Sequence, residues 1–324
     1  MPTTTCDIDQ WQKLFGVTYE ALDQSEMKIR ALDMVTWTGK PGESEYEIQD
    51  ERVKKAIDYL YDKKRHFDFS RSSLESVNKF IYQLSFYYAT LDICKEYQIT
   101  FAGVKCQDEL SAHECTVCPA IAFLNNDIGP DGAPKKIIPV ACENDNDSAL
   151  TQLWMYLLTS KPARFGDFRD VEEGILTIAN CGQHPPYFFG IPDEESVKKL
   201  DAVEYIGQEH FYAAEGSAIK GRTPGGEIMT VARLARENLR YQLVAMPIKT
   251  IEVSPEEHEK YSFSWPLIRG EMPISDQASV DLWPCNHLGF AYGDLTPHLA
   301  EMAHRLDIGY RVFDRKGREY FKPS

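Results

Sequence analysis

Apolar positions recur at helical spacing through roughly the first half of the chain and at strand spacing through the second. Residues 8–33 predict two helical stretches broken at Gly16, and 48–65 a helix with Val53, Ile57, Leu60 and Tyr61 on one face. Residues 72–98 predict a long helix opened by a capping box, Ser72 with Glu75 three positions on. A short strand is expected at 100–104 and further helix from Gln107 to Leu124. Residues 136–141 form an apolar strand that breaks at Ala141-Cys142 into an acidic cluster, Glu143, Asp145 and Asp147, before an amphipathic helix begins. Helices alternating with short apolar strands imply an α/β fold with a mainly parallel, Rossmann-like sheet.

Beyond about residue 160, prolines and glycines thicken and β-type runs appear at 164–168, 174–179, 227–234 and 241–253. A helix at 296–306 and a strand near 310–313 close the chain. This texture predicts a β-rich, antiparallel, barrel-like second domain, with domains 1–158 and 159–324.

At 324 residues, 43% of them hydrophobic, the chain can build a large core and is not of disordered composition. Its net charge of −15 disfavours nucleic acid and anionic membrane surfaces as partners. No segment has the length and apolarity of a membrane span, and the start lacks the order of a signal peptide, so a cytoplasmic address is expected. Eight cysteines in helical or apolar contexts of a large chain point to thiols rather than a disulfide framework.

A strand that delivers carboxylates to its C-terminal end, just before a helix, is where open α/β sheets place ligand chemistry. That singles out the cluster of Glu143, Asp145 and Asp147, although carboxylates at a helix start more often serve as ordinary dipole partners. The pair Cys115 and Cys118, with His113 nearby, has the spacing of a zinc or redox motif but lacks a second ligand pair, so a helix carrying two semi-buried thiols fits better. Gly221 to Gly226 lacks the Lys-Ser/Thr ending of a phosphate loop and precedes a β-like run, which favours a hairpin turn. The aromatic helix of Phe80, Tyr82, Phe86, Tyr87 and Tyr88 reads as core and subunit contact.

Eight ordered pieces carry a resemblance: FGVTYEALDQSEMKIRA (15–31), FAGVKCQDELS (101–111), VACENDNDSALTQ (140–152), FGDFRD (165–170), IANCGQH (178–184), GRTPGGEIMTVARL (221–234), FSWP (263–266) and PCNHLGFAYGDL (284–295). Together they resemble the L-fucose isomerase family, metal-dependent aldose–ketose isomerases related to L-arabinose isomerase. The resemblance implies Glu143, Asp167 and His287 as metal ligands, with Glu143 and Asp167 doubling as catalytic acid and base. Two carboxylates and an imidazole suit Mn²⁺, with Mg²⁺ or Co²⁺ as alternatives.

The implied reaction moves a proton between C1 and C2 of a monosaccharide through an enediolate, taking L-fucose to L-fuculose or D-arabinose to D-ribulose. Gln107, Trp265 and Asn286 are implied substrate contacts, with Gln183 and His184 at the rim. Relatives carry Ser more often where Cys181 stands. A full family member has a further α/β domain ahead of this part, which helps roof a neighbouring subunit's site, so a trimer or hexamer and an N-terminally truncated sheet are expected. A carbohydrate-binding or regulatory remnant that turns over no sugar is the alternative.

Overall fold

The computed structural model describes residues 4–38, 46–62, 66–71, 74–208 and 214–323; the Ser72 capping box lies outside them. The first half runs α1 (Ile8–Gln10), α2 (Gln24–Met34), β1 (Val35–Trp37), β2 (Tyr46–Ile48), α3 (Glu51–Asp62), β3 (His66–Asp68) and α4 (Leu74–Glu96). It continues through β4 (Ala102–Val104), α5 (Ser111–His113), α6 (Cys118–Asn125), β5 (Val140–Cys142) and α7 (Asn146–Thr159). Gly16 ends the N-terminal turn at φ 65°, the left-handed conformation that glycine adopts without a Cβ penalty.

α4 forms the spine of this half. Its Phe80, Tyr82, Phe86, Tyr87 and Tyr88 are all buried, in one core with Met27 and Ala31 of α2, Val53 and Leu60 of α3, and Ile121 and Phe123 of α6. In this half, among the described residues, the parallel pairings are β4 with β5 and β3 with β8 (Glu204–Gly207). The apolar stretch expected as a strand from 136 pairs only over Val140–Cys142. Pro139 has no N–H to give a ladder, although its carbonyl still accepts from Ala102 N at 2.9 Å.

The second half adds β6 (Arg164–Glu172), β7 (Ile175–Ala179), α8 (Ser196–Lys199), β8, β9 (Ser217–Lys220), β10 (Ile228–Glu237) and β11 (Arg240–Thr250). Then come α9 (Pro255–Tyr261), β12 (Leu267–Glu271), α10 (Asp276–Leu282), β13 (His287–Tyr292), α11 (Thr296–Arg305), β14 (Gly309–Phe313) and β15 (Glu319–Lys322). Six of these strands close an antiparallel barrel in the order β10, β13, β6, β7, β12, β11 and back to β10. The molecule is therefore mixed α/β with a barrel. β14 joins β11 in parallel and β15 follows it, extending the sheet past the closure.

Strand alternation explains how the barrel fills and docks. Met229, Val231, Val244, Met246, Leu288 and Phe290 form one apolar cluster. Their sequence neighbours Ala232, Leu243, Ala245 and Ala291 form another, with Leu150, Trp154 and Met155 of α7 and Leu299 of α11. Burying each of those three α7 side chains is worth roughly 2 kcal/mol. α7 thus ties the end of β5 to the barrel wall.

The chain does not cross between the halves only once near residue 158. β8 pairs with both β3 and β9, and Leu200, Val203, Tyr205 and Ile219 share the core of α4. The Gly221–Gly226 stretch, expected as a hairpin turn, instead links two sheets: β9 pairs with β8, and β10 lies in the barrel. Gly226 N donates to Thr250 O at 2.7 Å, and a Cβ on Gly225 would meet Glu252 N at 2.4 Å, so glycine is required by close backbone approach.

Candidate metal and proton-transfer site

Three elements converge at one rim of the barrel. Asp167 on β6 is the direct cross-strand partner of His287 on β13, and the ladder continues as Phe168 N donates to Asn286 O at 2.7 Å. Glu143 arrives from the other half, at the end of β5. The chain reverses there through Glu143 and Asn144, both left-handed at φ 57° and 53°, and Asn144 N and Asp145 N donate back to Val104 O and Cys142 O. Two consecutive non-glycine residues in that region are costly, and such conformations concentrate at functional sites.

The imidazole of His287 organises the cluster. Nδ1 lies 2.8 Å from Asp145 Oδ2, while Nε2 lies 3.4 Å from Glu143 Oε2 and 3.6 Å from Asp167 Oδ1. Asp145 is fully buried, caps α7 by accepting from Ser148 N, and also accepts from Arg233 Nη1 at 2.6 Å. A carboxylate at Nδ1 fixes the proton on that nitrogen, so the Nε2 lone pair faces two carboxylate oxygens. Three acceptor atoms therefore converge, and a proton or a cation between them would satisfy all three.

Among the described residues, no group of three His, Cys, Asp or Glu side chains stands in a ready-made metal geometry. The donor set nevertheless fits a hard divalent ion. Bonds of roughly 2.1 Å place neighbouring ligand atoms about 3.0 to 3.4 Å apart, against 3.4 and 3.6 Å from His287 Nε2 to the Glu143 and Asp167 oxygens.

The titration properties follow from burial and charge. Burial pushes the Asp167 carboxyl up to about 7, against the opposing pull of Arg169 and His287. Burial also raises Glu143, with His287 pulling the other way. For His287, burial would lower proton affinity, but the Asp145 hydrogen bond and the surrounding carboxylates outweigh it and the net direction is up. Asp145 is held down despite its burial, chiefly by the Arg233 charge.

Of the other expected contacts, Asn286 and Trp265 join the cluster. Asn286 Nδ2 donates to Asp167 Oδ1 at 3.1 Å. Arg169 donates to Asp167 Oδ2 at 3.3 Å and lays its guanidinium 5.1 Å from the Trp265 ring centre, so the indole flanks the site through a cation–π contact. Gln107 is exposed in the turn after β4, on the same sheet edge as Glu143 because Val104 pairs with Cys142.

Gln183 and His184 are not rim residues. Gln183 is 2% exposed with an unpartnered Nε2, and His184 is fully buried against the Arg164 guanidinium, which in turn packs on Phe188 and Phe290. Burial and the Arg164 charge keep His184 neutral, well below its ordinary value. A cavity of about 780 Å³ lies to the other side of β4, between Val17–Asp23 and Tyr97–Lys105, and touches this region only through Asn144 and Asn146. The chemistry sits outside it.

Reasoning from sequence missed Arg233, Arg169 and the anchoring role of Asp145. Asp145 was visible as part of an acidic cluster, and the two arginines stand within FGDFRD and GRTPGGEIMTVARL, but nothing in those runs marks them as partners of Asp167 and Asp145. No family model and no curated protein matches the chain.

Proposed function

We propose that this chain is a metal-dependent sugar isomerase that interconverts an aldose and a ketose. Within that class, the resemblance of its motifs points to L-fucose, or the similarly configured D-arabinose, as substrate. The observation that carries the reading is the imidazole of His287, locked by Asp145 and turned so that Nε2 faces Glu143 and Asp167. Pairing two carboxylates at one imidazole nitrogen serves both halves of such a reaction.

Glu143, Asp167 and His287 would hold the divalent ion, Mn²⁺ by preference and Mg²⁺ or Co²⁺ otherwise. When bound, such an ion polarises a sugar carbonyl and offsets developing oxyanion charge. The protein's own groups carry the proton. Asp167, ionised beside the ion, can both take a proton from carbon and return it, and Glu143, partly open to solvent with 29% of its side chain exposed, can serve the facing oxygen or carbon. Arg169 and Asn286 keep Asp167 in place, and the Trp265 face offers a surface for the apolar side of the sugar ring. The β4–β5 parallel pair supports reading the first half as a short form of a Rossmann-like sheet, and assembly as a trimer or hexamer belongs to the same proposal.

Incubation of the Mn²⁺-loaded protein with L-fucose or D-arabinose in D₂O tests this. Ketose carrying deuterium at C1, and aldose re-formed with deuterium at C2, are expected, lost in Glu143→Gln and Asp167→Asn and with a raised KM in Trp265→Ala. Sugar binding without any ketose or deuterium exchange would replace the isomerase with a carbohydrate-binding role.

A further inference from the structure

The Cys115/Cys118 motif does not act as a unit. Cys115 is fully buried, while Cys118, at the start of α6, has its Sγ 3.9 Å from that of Cys181, in the turn after β7. Cys142, next to Glu143, interacts with both Cys106 and Cys181, so four thiols form one group. All are thiols, and Cys181 alone of these four is partly exposed.

One side chain couples this pair to the site. Gln208 Nε2 donates to Cys181 O at 2.6 Å and to Cys118 Sγ at 3.3 Å, while its Oε1 accepts from Trp265 Nε1 at 3.1 Å. Trp265 carries Arg169, and Arg169 holds Asp167. The far side of the turn cannot give way. A Cβ on Gly182 would lie 2.3 Å from Ala218 Cβ, and Asn180 Oδ1 accepts from both Gly182 N and Gln183 N. Since a disulfide needs an S–S distance of about 2.05 Å, the sulfurs must close by about 1.9 Å. That closure displaces the two groups, Cys181 O and Cys118 Sγ, to which Gln208 Nε2 now donates.

We propose that Cys118 and Cys181 are an oxidative modification site for peroxides, and that closing their disulfide releases Gln208 and Trp265 and turns down the adjoining site. The balance is complete with one peroxide. Cys181 sulfur attacks a peroxide oxygen, the O–O bond breaks, and a sulfenic acid and one water (or alcohol) result. Cys118 sulfur then attacks the sulfenic sulfur, the S–S bond forms, and hydroxide leaves as water with the thiol proton. Two thiols lose two electrons, and a small dithiol returns them. The order is set by access: Cys181 meets solvent, whereas burial and the contact with Cys181 keep the Cys118 thiol protonated. The effect on turnover rests on the isomerase reading. The disulfide does not.

The whole protein is treated with stoichiometric hydrogen peroxide and mapped by mass spectrometry without reduction, beside C118S and C181S. Tryptophan emission is followed in parallel, with Trp265→Phe as the reference. A Cys118–Cys181 linked peptide is expected in the unsubstituted protein only. It should be accompanied by a change in emission that Trp265→Phe lacks and by a fall in ketose formation of at least about tenfold, both reversed by dithiothreitol. A Cys142–Cys181 link, no link, or a linked protein with unchanged Trp265 emission would overturn the proposal. If the reduced protein makes no ketose, the isomerase reading fails, and the linked peptide and the emission still decide the fate of the dithiol.

Discussion

Adding Mn²⁺ across a range of pH perturbs Asp167 most directly. Its carboxyl, moved by burial from 3.8 to about 7, is favoured in the protonated form by the folded protein. The metal-free folded state therefore binds more protons than the unfolded chain between about pH 4 and 7, and its stability falls as pH rises through that window. At 1.36 kcal/mol per tenfold change in proton affinity, the ionised carboxylate costs the fold about 4 kcal/mol at pH 8. A divalent ion held by Asp167 recovers much of this. Below pH 7 it must first displace the proton, so its affinity weakens by about tenfold for each unit of acidification. At saturating Mn²⁺ the gain in melting temperature should be on the order of 5 °C at pH 8 and near zero at pH 5, as read by differential scanning fluorimetry. Asp167→Asn should melt higher than the parent at pH 8 without metal and show no Mn²⁺ response. A Mn²⁺ shift of equal size at both pH values, or one retained by Asp167→Asn, would refute the reasoning.

Asp145→Asn removes the charge to which the buried Arg233 Nη1 donates and loosens the His287 ring, so a loss of about 3 kcal/mol in denaturant unfolding and a 10- to 100-fold weaker Mn²⁺ titration are expected. Replacing both, as Asp145→Leu with Arg233→Met, should recover stability but not Mn²⁺ affinity, which separates the two roles. Gly182→Ala places a Cβ against Ala218 at φ 98° and should cost about 3 kcal/mol, whereas Gly174→Ala, at φ 79° with nothing within 4 Å, should cost only about 1 kcal/mol by the same measurement.

The long amphipathic patterns were legible in the sequence because burial enforces them. The 72–98 expectation became Leu74–Glu96, 296–306 became Thr296–Arg305, and the 241–253 run became Arg240–Thr250. Sheet membership was not legible, since a strand carries no mark of its partner. β8 and β9 return to the first core while β10 enters the barrel, which is why a Pro-Gly turn that reads as a hairpin is a passage between sheets. Burial of polar side chains was equally hidden. Gln183 and His184 follow an Asn-Cys-Gly turn that suggests a surface, yet the turn folds inward over Ala218, and Arg164 supplies a buried neighbour that no local pattern announces.

The three site residues differ in what holds them, and that has a structural consequence. The backbones of Asp167 and His287 are set by barrel register, one cross-strand pair within a closed ladder, so anything that leaves the barrel intact keeps the two positions opposite each other. Glu143 depends on a strained left-handed turn and on α7, whose Trp154 and Met155 dock on the outer barrel wall. Asp145 joins the two systems, since it caps α7 and also receives His287 and Arg233 from the barrel. The docking of one half on the other is thus read out at a single carboxylate. Loosening α7 should detach Glu143 from the imidazole before it disturbs the Asp167–His287 pair, leaving two of the three proposed ligands together.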